Sequence, residues 1–255
     1  MTASAVSSPT AAIRTGGIPE PRRPSEDRPL VAPPSRAAAY QRVLHQLVRR
    51  ELRLLGDLAA WAPANEAERT ATLTRHAELV GRVLLHHHAV ERDAVWPALL
   101  RRVAPAQTDA VRAAVQEWTR RCALIDNMLR DVATAARQWA VAEAAPARDA
   151  FAVACRSLAD AVDEQTALEE ETLLPFLSTH LRNDDWMSIA AASHCRLTPR
   201  EQLIVLGLAL EDSSAGDRAR LMVGLPRSLR AAWHLHGRRI YRAAVVRLRG
   251  APPAA

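Results

Sequence analysis

The 255-residue chain contains no lysine: all 34 basic residues are arginine, against 28 acidic residues, for a formal charge of +6. This reads first as a compositional bias, and the charge permits an acidic partner without naming one. Aromatics are scarce at 4%, so the core must be built from aliphatic side chains. Cysteine occurs only at Cys122, Cys155 and Cys195, an odd number with no CxxC pair. That excludes a disulfide framework and suits a reducing compartment. No apolar run approaches the length of a membrane span. The N-terminus lacks a charged start followed by an apolar stretch, which argues against a secretory signal. The cytoplasm is the expected location, and no nucleic-acid motif accompanies the positive charge.

What is present is long helical periodicity. Residues 1–35 hold seven of the sixteen prolines with no apolar period, and they are expected to be disordered. Four amphipathic patterns follow. The first runs from about Ala37 to Trp61, with an inner column of His45, Val48, Leu52 and Leu55. The second runs from about Glu68 to Arg101, with Leu73, Ala77, Val80, Leu84, His87, Glu91 and Val95 on one face. Thr108 is the expected N-cap of the third, whose column is Val111, Val115, Trp118, Cys122, Ile125, Leu129, Val132, Ala136 and Trp139. Pro146 marks the start of the fourth, with Phe151, Cys155, Leu158, Val162, Gln165, Glu169, Leu173 and Phe176 inward. Short connections and the absence of a strand signal predict an all-α, up-down-up-down four-helix bundle over 36–180.

Residues 181–255 form a helical extension with a Thr-Pro helix start at 198–199 and an arginine-rich last helix. It is too small for its own core. Packing on the bundle or on a second subunit is expected, with homodimerisation through these helices as one consequence. Attachment of the last helix to a membrane surface is the lesser alternative.

Two stretches depart from apolar patterning in the same way. HHAVERDAVWP at 87–97 and QTALEEETLLP at 165–175 align without a gap, pairing His87 with Gln165, Glu91 with Glu169 and Pro97 with Pro175. Polar side chains on an inner helix face cost free energy unless they meet partners. Inward carboxylates and histidines on facing helices are how bundles build metal sites. The candidate ligands are His45, His87, Glu91 and Glu169, a donor set suited to iron, manganese or zinc. His86 and His88 lie off the column; facing solvent is the first expectation, and support of a ligand from behind by one of them is the alternative.

The pattern LHQLVRREL, HHAVERDAVWP and EEETLLP, spanning about Arg42 to Leu177, resembles the hemerythrin-like, HHE cation-binding domains. The tail LP…GRRIYRAAVVRLRG is similar to the C-terminal extension of actinobacterial members. The resemblance implies a four-helix bundle with a non-haem di-iron centre that handles oxygen, peroxide, nitric oxide or iron. Carried over residue by residue, it assigns His45 and His87 to one iron and makes Glu91 and Glu169 the bridging carboxylates. The histidines of the second iron are missing: the third helix offers Trp118 and Cys122, and Gln165 stands where the family has histidine. The metal site is therefore degenerate, with one ion at most, and Trp118, Cys122 and Gln165 are altered ligand positions around it.

Three functions remain open at this stage. One is a mononuclear metal site acting on an oxygen species or an organic substrate. A second is a metal-free enzyme of specialised metabolism, performing cyclisation, dehydration or isomerisation, in which Glu91 and Glu169 act as acid and base with His87 between them. The third is a non-catalytic sensor or partner-binding bundle.

Overall fold

The computed structural model describes residues 35–193, 195–251 and 253, and every regular element among them is helical. The N-terminal segment expected to be disordered lies outside the described residues, apart from Ser35. Its hydroxyl accepts from the Ala38 amide at 3.3 Å and caps α1 (Arg36–Trp61). The second pattern is a composite: α2 (Ala67–Val90), a π turn at Glu91–Val95, and α3 (Trp96–Leu100). The third is α4 (Pro105–Ala142), and the fourth is α5 (Ala145–Thr172) followed by α6 (Leu174–His180).

Proline explains both interruptions. Pro97 has no amide to offer the carbonyl four residues back, and Trp96 bonds Glu91 instead, five residues back. Pro175 sits at the corresponding second position of α6. The aligned stretches thus end alike, each in a short proline-led helix. The N-cap expected at Thr108 is corrected. Pro105 opens α4 three residues earlier behind Ala104, and the Thr108 hydroxyl donates back to the Ala104 carbonyl at 3.2 Å. A proline is favoured at the first helical position because its missing donor has no intrahelical role there.

Each long helix packs on its neighbours in sequence, and α5 closes onto α1. The interior holds two apolar clusters. One includes Leu52, Leu55, Leu84, Ile125, Phe151 and Leu158. The other includes Val95, Trp96, Leu99, Trp118, Leu173 and Leu177. Between them three of the four long helices change character: His45 precedes Val48, His87 and Glu91 lie between Leu84 and Val95, and Gln165 and Glu169 lie between Val162 and Leu173. Successive long helices cross this polar layer in alternating directions. The described residues form an all-α helical bundle.

The extension comprises α7 (Asn183–Ala192), α8 (Pro199–Glu211), α9 (Ala215–Gly224), α10 (Arg227–Ala232), a π turn at Trp233–Gly237 and α11 (Arg238–Arg249). The Thr-Pro start is a full capping box, Thr198 and Glu201 each satisfying the other's amide. The buried face of α11, Tyr241, Val245 and Leu248, belongs to the same apolar cluster as the bundle's Leu52 and Leu55. Gly207 permits this approach: a Cβ there would stand 2.2 Å from a Tyr241 ring carbon. Charged contacts add to it. Arg42 grips Asp217 through two hydrogen bonds of 3.0 and 2.7 Å. Glu51, fully buried on α1, accepts from Arg249 at 2.8 Å and Arg50 at 2.7 Å, with His76 2.7 Å away. No described helix is long and apolar enough to cross a membrane.

Candidate metal centre

His45 comes from α1, His87 from the end of α2, Glu91 from the first position of the π turn, and Glu169 from α5. All four are buried, and one potential ligand atom from each lies within 4.8 Å of every other. His45 Nε2 is 3.4 Å from Glu169 Oε1, and His87 Nε2 is 3.2 Å from Glu91 Oε2. The two imidazoles meet edge to face with centroids 5.5 Å apart. Three of the converging atoms, His45 Nε2, Glu91 Oε2 and Glu169 Oε1, have no hydrogen-bond partner despite complete burial. Such orphaned atoms are costly unless something balances them. A cation at their meeting point would do so, and two imidazoles with two carboxylates are a donor set that fits one.

The far atoms of the same side chains are tethered. His45 Nδ1 donates to Glu170 Oε1 at 2.9 Å. Glu91 Oε1 accepts from Gln41 Nε2 at 2.5 Å. Glu169 Oε2 accepts from Gln165 Nε2 at 2.8 Å and from Trp118 Nε1 at 3.1 Å. His45, Glu91 and Glu169 are therefore oriented from behind while the other polar atom of each is held open, the arrangement that fixes ligands around metals. Gln165 and Trp118 are thus both donors to one carboxylate oxygen. Cys122 is buried beside them but is not among the converging donors. Burial, reinforced by Glu91 and Glu169, pushes its thiol well above the ordinary range.

Without a cation the two carboxyls are driven apart. Burial, with Glu169 beside it, raises Glu91 well above the carboxylate range, so it holds its proton. Burial also opposes ionisation of Glu169, yet His45 outweighs it and draws that group down to about 2. His45 itself rises to about 9, because Glu169 and Glu170 overcome its own burial. Burial and the neighbouring His45 keep His87 neutral, well below its usual value.

The expectation that His88 faces solvent is corrected. His88 is buried, with Nδ1 3.0 Å from Asp126 on α4 and its ring edge-on to Trp118. The cause is that α2 packs on both α1 and α4, so two faces of it are covered. His86 is half-buried. Three further residues of the centre were absent from the sequence reading. Gln41 lies one turn before His45 on the same face of α1, and that spacing is a usable signal. Glu170 was hidden in the acidic run 169–171, and Asp126 carries no signal in the sequence.

A family model described as hemerythrin HHE cation binding domain matches residues 38–177. No curated protein and no solved structure matches the chain.

Proposed function

Since the chain belongs to the hemerythrin HHE cation-binding family, we propose that its metal-binding bundle uses His45, His87, Glu91 and Glu169 to hold one non-haem ion, iron before manganese or zinc. The observation that carries this reading is the convergence of three buried atoms that lack a hydrogen-bond partner, His45 Nε2, Glu91 Oε2 and Glu169 Oε1. A single ion is favoured over two because the side chains at the altered positions are already engaged. Trp118 and Gln165 both bind Glu169 Oε2, the oxygen a second ion would need. Such an ion supplies redox or Lewis-acid chemistry toward an oxygen species or a small organic substrate. The protein's own part is to fix Glu169 through two donors, to hold His45 through Glu170, and to keep the centre dry between two apolar clusters.

The experiment is metal analysis of protein purified without chelator. About one equivalent of iron, lost in His45→Ala and His87→Ala, supports the reading. Near-zero metal with no uptake on adding ferrous iron overturns it.

One contrast favours a metal-free alternative: the adjoining carboxyls of Glu91 and Glu169 are pushed in opposite directions, the first up by burial and by Glu169, the second down by His45 against its burial. Glu91 would serve as acid and Glu169 as base, with His87 between them. A Glu91→Gln protein that folds and loses metal-independent turnover would favour it.

A further inference from the structure

A cleft of about 350 Å³ lies where α2, α8 and α11 meet. It shares no lining residue with the candidate metal centre. One face of α2 lines it, with Thr72, Arg75, His76 and Leu79. Two clamps hold the other helices against that face. Arg69 bonds the carbonyls of Arg247 and Leu248 at 3.3 and 2.7 Å, which fixes the end of α11. Arg82 bonds the Arg196 carbonyl at 3.3 Å and pairs with Glu201, which fixes the start of α8. Positions 69 and 82 stand about 20 Å apart along α2.

The charge of the lining is one-sided. Arg75, Arg200 and Arg247, one from each helix, line the cleft together with His76, against a single acid, Glu201. Glu201 is already engaged by Arg82 and by the Thr198 amide. The three arginines have no carboxylate partner among the described residues. Arg75 bonds the Ala71 carbonyl, and Arg200 and Arg247 make no side-chain hydrogen bond. The cations are also spread along the cleft. Arg247 stands at the Arg69 clamp, Arg200 beside the Arg82 clamp, and Arg75 midway between them on α2. His76, whose side chain is 10% exposed, donates from Nε2 to Glu51 Oε2 at 2.7 Å. Arg50 and Arg249 hold Glu51 in turn, so the ring is fixed, and its Nδ1 makes no hydrogen bond among the described residues.

We infer that this cleft binds a short polyphosphate chain, free or as the tail of a nucleotide, through Arg75, Arg200, Arg247 and His76. The spread of charge selects this occupant. A single phosphate or carboxylate meets only part of a row of cations strung between two clamps, whereas a phosphate chain carries charge at each step and matches guanidinium forks. A nucleic-acid duplex or an acidic helix is too broad for a cleft at the small end of small-molecule sites, which run from about 300 to 1,000 Å³. A second copy docked here by two-fold symmetry would set unpaired arginines against arginines.

The test is calorimetric titration of the full chain with inorganic triphosphate in a buffer free of divalent cations, in parallel with orthophosphate, ATP and a DNA duplex. The expected result is one triphosphate per chain, with orthophosphate at least about tenfold weaker. ATP equal to triphosphate supports recognition of the phosphate chain alone, and tighter ATP supports the nucleotide as its source. Arg200→Glu with Arg247→Glu, both at exposed positions, should weaken triphosphate at least about tenfold with unchanged thermal stability. Arg238→Glu with Arg239→Glu removes the same charge from exposed positions of α11 outside the cleft, and should weaken it by less than about threefold. That pair separates the site from general attraction to a basic protein and from chelation at the metal centre. The His76 imidazole resonances should shift on saturation. Equal affinity for orthophosphate, equal losses in the two double variants, or unmoved His76 resonances would overturn the inference. So would capture of the duplex by a protein that takes up no triphosphate.

Discussion

The indole nitrogen of Trp118 donates to Glu169 Oε2 across 3.1 Å, in the dry interior between α4 and α5. Trp118 is thus a fixture of the candidate centre. It holds one oxygen of a carboxylate so that the other faces the centre.

Trp118→Phe should therefore weaken iron binding by about tenfold to a hundredfold, the usual cost of losing an outer hydrogen bond to a ligand. The ring volume is largely retained, so the fold should survive. Chelator competition on wild-type and variant protein measures it, and equal affinities would remove Trp118 from the metal's surroundings.

Metal affinity should rise with pH. In the metal-free protein His45 titrates near 9 and Glu91 is raised by burial and by Glu169, so both carry protons at neutral pH. A cation must displace them. Each displaced proton gives about tenfold in affinity per pH unit below the group's own value. Dissociation constants at a series of pH values, with proton release measured directly, check the sign.

Glu51 governs acid stability. Burial would raise its carboxyl, but His76, Arg50 and Arg249 overcome this and hold it at about 2, below an ordinary 4.5. Its stabilising contribution is complete above the unfolded-state value and is lost as pH falls toward 2. A shift of this size corresponds to about 3 kcal/mol. Denaturant melts from pH 6 to pH 2 should show this loss in the wild type and a flatter profile in Glu51→Gln.

Gly207→Ala should loosen α11. The added carbon has no room against Tyr241, and overpacking of this kind costs about 1–3 kcal/mol. Hydrogen exchange should quicken in α8 and α11 while the α1–α5 contact stays protected. Unchanged exchange in α11 would show that the ring simply moves aside.

Much of this architecture is legible in the sequence because long helices write their buried faces at fixed intervals. The columns through Leu73–Val95 and Phe151–Glu169 are buried as read. So is the clustering of His45, His87, Glu91 and Glu169, since the aligned Pro97 and Pro175 set both glutamates at the same depth. What was not legible depends on pairs of helices. Whether position 88 is wet depends on α4 lying over it, and the partner of His88, Asp126, is 38 residues away. The π turn at Glu91 and the true start of α4 both follow from prolines, whose effect on the local hydrogen bonds must be worked out one carbonyl at a time.

The polar layer gives the bundle two greasy ends and a charged waist. All four long rods pass through that waist, and three of them contribute ligand candidates to it. An ion seated there would act as a rivet, adding to the few hydrogen bonds that tie the rods at that height. Leu55 and Leu99, in separate ends of the interior, would then melt together, and stripping the ion would let each end breathe at its own pace.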